Sequence, residues 1–199
     1  MSITSEKIDY IIKVGIQPIL KREGFKKSSR TFRRSRAGCV QIINIQGSWT
    51  NYGDSGQFTI NLGVYYPEAA KLHGSFHVTD HPLESNCIVN ERIGHLMPVQ
   101  RDYWWNFDAN SDLNKIGQEV VSVCTNYGLP WLDAHSTLAG ALQFSLSRKY
   151  PFWAAIFSLL LDNRETAKQY LSEAIMEVSQ KPSLQSQLED WGRSKGLVP

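Results

Sequence analysis

Phe58, Ile60, Leu62 and Val64 alternate with Thr59, Asn61, Gly63 and Tyr65. A period of two is met only by an extended strand with one face on a core, so this run commits the middle of the chain to a half-buried β-sheet. Two neighbouring segments supply pairing partners. Residues 31–36 and 39–49 flank Ala37-Gly38, a short turn, and read as a β-hairpin. The linker TNYGDSGQ at 50–57 has the glycine and asparagine chemistry of a turn. Arg101, Tyr103, Trp105 and Phe107 alternate with Asp102, Trp104 and Asn106, which predicts one more strand.

Helical periodicity takes over on either side. Ile8, Ile11, Ile12, Ile16, Ile19 and Leu20 form one apolar stripe, predicting a helix over residues 5–22 with Ser5 as its cap. Gly24 stands at the left-handed closing position, and Pro18 is a potential break within the helix. After Asn110, Ser111 or Asp112 would cap a helix carrying Leu113, Ile116, Val120, Val121, Val123, Cys124 and Tyr127, ended by Gly128 and Pro130. Further helices are predicted over 135–147, 152–161, 163–179 and 183–195, the middle two forming a helical hairpin across Asp162-Asn163. Ala155, Ala167, Leu171 and Ala174 have the spacing of the small positions in a tetratricopeptide repeat. One repeat cannot make a solenoid, which needs about three. The prediction is an α+β fold, with an N-terminal helix on an antiparallel meander (residues 1–133) and a helical C-terminal extension packed on it (residues 134–199).

Size and composition narrow the class. With 42% hydrophobic and 20% charged residues among 199, the chain can bury a core of its own. The apolar run at 152–161 is far below the roughly 20 residues of a membrane-spanning helix. The first residues read as an amphipathic helix, not a secretory signal. Cys39, Cys87 and Cys124 are odd in number and unpaired in spacing, which argues against a disulfide framework and for the cytoplasm.

Charge is distributed unevenly. In residues 21–36, KREGFKKSSRTFRRSR, eight Lys and Arg face a single acid, Glu23, giving +7. The remaining thirteen basic and eighteen acidic residues give −5. Such polarity points to an anionic partner, and Lys26, Lys27, Arg30, Arg33, Arg34 and Arg36 are the candidate contacts, since arginine forks grip carboxylates and phosphates alike. Phe25 and Phe32, interleaved among them, admit single-stranded nucleic acid as an alternative. The structural reading is an edge strand protected by charge and paired with acids elsewhere.

Three other groups carry weaker signals. His73, His77 and His81, near Asp80 and Cys87, have metal-ligand chemistry, but Gly74, Ser75 and Pro82 oppose a helix that would align them, and ordinary loop histidines are the better reading. Adjacent Trp104 and Trp105 must face opposite ways on a strand, so one enters the core and Trp104 is the candidate partner anchor. Glu91, Arg92 and His95, with Arg101 and Asp102, could do acid–base work, yet no nucleophile elbow or phosphate loop accompanies them. Ion pairs fixing a turn are the simpler account. No catalytic residue and no cofactor is assigned.

GFKKSSRTFRR at 24–34, CVQIINIQGS at 39–48, FTINLGVY at 58–65, ERIG at 91–94, the Trp104-Trp105 pair and GLPWLD at 128–133 occur in an order that resembles the bacterial domain of unknown function family 4304, over about residues 8–133. The resemblance implies fold organisation and a small stand-alone bacterial protein, with some relatives of the toxin-neutralising kind. It implies no mechanism. Together these readings predict a non-enzymatic protein-interaction module, immunity-type or regulatory, that meets an acidic protein surface through its basic hairpin and has no membrane partner. A nucleic-acid-binding protein is the alternative, and a metal-dependent hydrolase on the three histidines ranks below it.

Overall fold

The computed structural model describes residues 2–74 and 78–198. In chain order its elements begin with α1 (Ile3–Val14), α2 (Ile16–Arg22), β1 (Lys26–Ser28), β2 (Thr31–Arg36), β3 (Cys39–Gly47), β4 (Gly56–Tyr65) and α3 (Pro67–His73). They continue with β5 (Val89–Arg92), α4 (Ile93–Leu96), β6 (Trp105–Phe107), α5 (Leu113–Val123), α6 (Leu129–Ala134), α7 (Leu138–Ser147), α8 (Pro151–Leu160), α9 (Arg164–Glu177) and α10 (Pro182–Ser194). The fold is α+β, as the hydrophobic periods predict. The described residues fall into two compact units, one of residues 2–66 and 79–136, the other of 67–74, 78 and 137–198.

The first unit holds the sheet. Its strands are antiparallel in the order β1-β2-β3-β4-β5, with β6 also paired to β4. The β2–β3 hairpin turns at Ala37-Gly38, where Gly38 takes φ +79°. Strand β4 was expected to be half-buried, but it is buried without a break from Phe58 to Tyr65. Both its faces are covered: Leu62 meets Gly128 on one, and the 3-10 turn Glu84–Asn86 lies over Gly63 on the other. The predicted strand at 101–107 shrinks to β6. Residues 101–103 instead pack against Gly94, where an added Cβ would lie 2.3 Å from the Arg101 carbonyl oxygen.

The single N-terminal helix predicted over 5–22 is two helices. Gly15 (ψ −98°) interrupts it where an added Cβ would lie 2.8 Å from the Gly117 carbonyl oxygen of α5, so two backbones meet there. The interruption puts Pro18 in the first turn of α2, where its missing N–H is no loss. Ser2, one turn earlier than expected, supplies the cap by accepting from Ser5 N. Gly128 and Pro130 do not end α5 as predicted. A π-helical turn, Cys124–Gly128, carries the chain into α6 with Pro130 near its start. The wide turn shifts the hydrogen-bond register, which lets proline sit where a regular ladder would have needed its N–H. Ile8, Ile11, Ile12, Ile16 and Leu20 are buried, the core stripe read from the sequence.

The second unit is helical. Ala155, Ala167, Leu171, Ala174, Leu188 and Leu197 form its core, with Phe152, Tyr170 and Trp191 packed around them. Helices α8 and α9 make the predicted hairpin: Asp162 turns the chain at φ +59°, and Asn163 caps α9 by accepting from Thr166 N. Strand-to-helix switching at Tyr66-Pro67 produces α3, which the sequence did not suggest. Trp191 Nε1 ties this helix down by donating to Leu72 O at 2.6 Å.

Candidate functional site

The basic segment becomes β1, β2 and the turns around them, at one edge of the sheet. Its residues divide by role. Arg34 is 3% exposed and points inward. Its Nε donates to Gln41 Oε1 at 2.6 Å, Nη1 to Glu23 O at 3.0 Å and Nη2 to Asp133 Oδ1 at 2.8 Å, with the guanidinium 4.5 Å from the Phe25 ring centroid. Burial lowers its pKa from the ordinary guanidinium value, and Asp133 and Glu23 work the other way. This arginine locks α2, the sheet and α6 together and is not part of the outer surface. Arg30 is also committed, to Asp9 at 2.7 Å and to Ser5 O and Oγ, which fixes α1 to the β1–β2 turn.

The remaining cations face outward. Lys26, Lys27 and Arg36 are exposed, with Lys21 and Arg22 beside them, and none has an ion pair among the described residues. Lys26 stands opposite Arg33 across the β1–β2 ladder. Arg33 donates through Nε to Pro82 O at 2.7 Å and has no ion pair among the described residues. Like charges directly opposite each other on a sheet repel. Glu23, the one acid of the segment, is held by Arg34. Lys21, Lys26 and Lys27 line a groove of about 480 Å³ with Gln17, Gly24, Phe25 and Phe32. Phe25 and Phe32 are 5% and 1% exposed, so neither ring offers a stacking face.

Trp104 is brought to a different place. Strand β5 lies four positions from β1, and Trp104 sits there against Arg92, whose guanidinium is 5.4 Å from its ring. Trp105 is the core tryptophan of the pair, stacked on Phe58 at 5.4 Å. The tryptophan with no cover is Trp49, 95% exposed, with Tyr52 at 89% in the same β3–β4 linker.

Glu91, Arg92, His95 and Asp102 do assemble. Glu91 Oε1 contacts His95 Nδ1 at 2.7 Å and accepts from Arg92 N at 3.0 Å, while Arg92 Nη1 donates to Asp102 Oδ2 at 2.6 Å and Trp104 Nε1 to the same oxygen at 3.0 Å. Partial burial opposes the Asp102 charge, but the Arg92 and Trp104 donors outweigh it and hold the carboxyl below its usual range. Glu91, Arg92 and His95 border a cavity of about 430 Å³ lined also by Asn61, Leu62, Glu84, Ser85 and Asn90. The amides were the unread part of this site. Register places Thr31, Asn44, Asn61 and Arg92 in one row across four strands, so the alternation that marked β4 as a strand also set Asn61 in that row.

Of the three histidines, His73 belongs to the helical unit, stacked on Trp153 at 4.7 Å, His81 is exposed, and His77 lies outside the described residues. Among the described residues no group of three His, Cys, Asp or Glu side chains could hold a metal ion. All three cysteines are buried, and desolvation raises each thiol pKa, to about 12 for Cys124. They are poor nucleophiles.

The fold and its basic edge define a small α+β domain with no helix among the described residues long and apolar enough to cross a membrane. Its sequence matches the family described as Domain of unknown function (DUF4304) over residues 16–134, and the chain belongs to that family. No curated protein and no solved structure matches it.

Proposed function

We propose that the chain is a non-enzymatic interaction module of the bacterial cytoplasm, immunity-type or regulatory in role, that binds an acidic surface of a partner protein through the β1–β2 edge. The observation that carries this reading is the Lys26–Arg33 pair, two cations facing each other beside Lys21, Lys27 and Arg36 with no carboxylate answering them among the described residues. The local acids are already engaged, Asp9 by Arg30 and Glu23 and Asp133 by Arg34. An acidic partner would remove the repulsion and gain charge-assisted hydrogen bonds. Arg30 and Arg34 shape this edge from behind. Trp104 would serve only a partner wide enough to reach the far edge, about 19 Å away at sheet spacing. Nucleic acid would meet the same cations but could not stack on the interleaved Phe25 and Phe32, which are buried.

The test is affinity capture from native bacterial lysate with the wild-type chain and the Lys26→Glu/Lys27→Glu/Arg36→Glu variant, each with and without nuclease. All three side chains are exposed, so the fold should survive. One protein retained by the wild type in both arms, and bound at least about tenfold more weakly by the variant, is the expected result. Equal capture by the variant would remove the proposal, and loss on nuclease treatment would transfer the site to nucleic acid.

A further inference from the structure

The cavity beside β5 is polar in a directional way. Asn61 lies in the central strand β4, is only 8% exposed, and lines the cavity. Its Nδ2 is used on the sheet surface, donating to Gln46 Oε1 at 2.9 Å and to Asn44 Oδ1 at 3.4 Å, and Asn44 Nδ2 in turn donates to Thr31 Oγ1 at 2.9 Å. That relay fixes the amide orientation and leaves Asn61 Oδ1 without a donor among the described residues. Asn90 repeats the arrangement, with Nδ2 turned to the carbonyls of Cys87 and Ile88 and Oδ1 left over. Two amides that line the cavity, Asn61 buried and Asn90 exposed, therefore spend their donors on protein oxygens and keep one acceptor each.

The charges there have the same bias. Arg92 lines the cavity, but its Nη1 is bound to Asp102 and its face lies over Trp104, so its charge is answered from the far side. Glu91 is bonded to His95. Glu84 is half-buried and has no ion pair among the described residues. Its uncancelled field is felt by Cys87, whose thiol is pushed up first by burial and then by Glu84. Acceptors without donors and one carboxylate without a counter-ion call for a donor-rich cation. A hard metal ion would want several carboxylates, whereas an ammonium or guanidinium has three to five N–H donors for amide oxygens and one carboxylate. About 430 Å³ is ample for such a head group.

We propose that this cavity is a binding site for a primary ammonium or guanidinium group, held by Glu84 and by the side-chain oxygens of Asn61 and Asn90, with His95 and Glu91 at its rim. The site is separate from the basic edge and does not depend on the partner assigned there. One chemistry has two sources, a free amine or a lysine or arginine side chain of another protein, and the probes separate them.

Agmatine and spermidine represent free amines; the blocked peptides Ac-Ala-Lys-Ala-NH2 and Ac-Ala-Arg-Ala-NH2 represent side chains; acetate and phosphate are anionic controls. Each is titrated into the full chain at low salt, read by calorimetry and by the side-chain amide signals of Asn61 and Asn90. The expected result is one saturable site for amines, peptides or both, with those signals shifting, no response to the anions, and at least a tenfold loss in Glu84→Gln. Glu6→Gln, which alters an exposed carboxylate on α1, should bind as the wild type does. The amide spectrum of Glu84→Gln away from the cavity reports that it is folded. No saturable binding of any cationic probe, or equal binding by folded Glu84→Gln, overturns the proposal.

Discussion

Replacing Arg34 by methionine isolates what a buried guanidinium does here, because methionine keeps most of the stem and removes only the fork. Three losses follow. Gln41 is fully buried, and losing the 2.6 Å donor from Arg34 Nε leaves its Oε1 unsatisfied, at a cost of about 2 kcal/mol. Contact with the Phe25 ring contributes about 1 kcal/mol. The ion pairs to Glu23 and Asp133 add less than their short distances suggest, since those side chains are 49% and 57% exposed and regain water, so together they are worth roughly 1 kcal/mol. The sum is about 4 kcal/mol, within the range of about 3–5 kcal/mol for breaking a buried pair. It should appear in urea unfolding followed by tryptophan fluorescence as a lower midpoint with little change in slope. Arg36→Met, at an exposed position of the same strand, should move stability by no more than about 0.5 kcal/mol. The double variant Arg34→Met/Gln41→Leu should recover part of the loss relative to Arg34→Met, since the stranded acceptor is gone. If Arg34→Met falls within about 1 kcal/mol of the wild type, Arg34 is not the lock described above.

Gly15→Ala should destabilise by about 2–4 kcal/mol in the same assay, because its Cβ would lie 2.8 Å from one backbone oxygen of α5 and 2.9 Å from Gly117 Cα, whereas Gly117→Ala, whose nearest neighbour would be 3.4 Å away, should cost clearly less. His73 gives a pH dependence: burial lowers its pKa from the ordinary histidine value, so the unfolded chain binds the proton more readily. Its contribution is therefore fully present above about pH 6.5 and is lost as pH falls from there through the lower folded value. Thermal unfolding from pH 7.5 to 5 should show this decline, and His73→Phe should flatten it.

What the sequence made legible was whatever periodicity enforces. The stripe Ile8-Ile11-Ile12-Ile16-Leu20, the extended run of β4 and the hairpin at Ala37-Gly38 each follow from a local rule, and the stripe is buried, the run is a strand and the hairpin turns where that rule requires. The errors came where a distant residue decided. Gly15 splits the first helix because Gly117 arrives there, Gly94 is met by residues 101–103, and β4 is covered twice because a segment more than twenty residues later folds over Gly63. The same distinction sorts the basic segment. From composition its six candidate cations were equivalent, since nothing in the string KKSSRTFRRSR tells Arg34 from Arg36. Both stand on the same face of β2, two residues apart. Arg34, however, is level with Gln41 in the register and is answered by Asp133, ninety-nine residues on, while Arg36 is level with Cys39 beside the turn and finds no carboxylate among the described residues. A charge run thus specifies how much counter-charge a chain needs and leaves tertiary contacts to decide which members receive it internally. Those the fold leaves unanswered, here Lys26, Lys27 and Arg36 at one edge and Glu84 over the face of β4, are the positions where an outside partner has the most to gain.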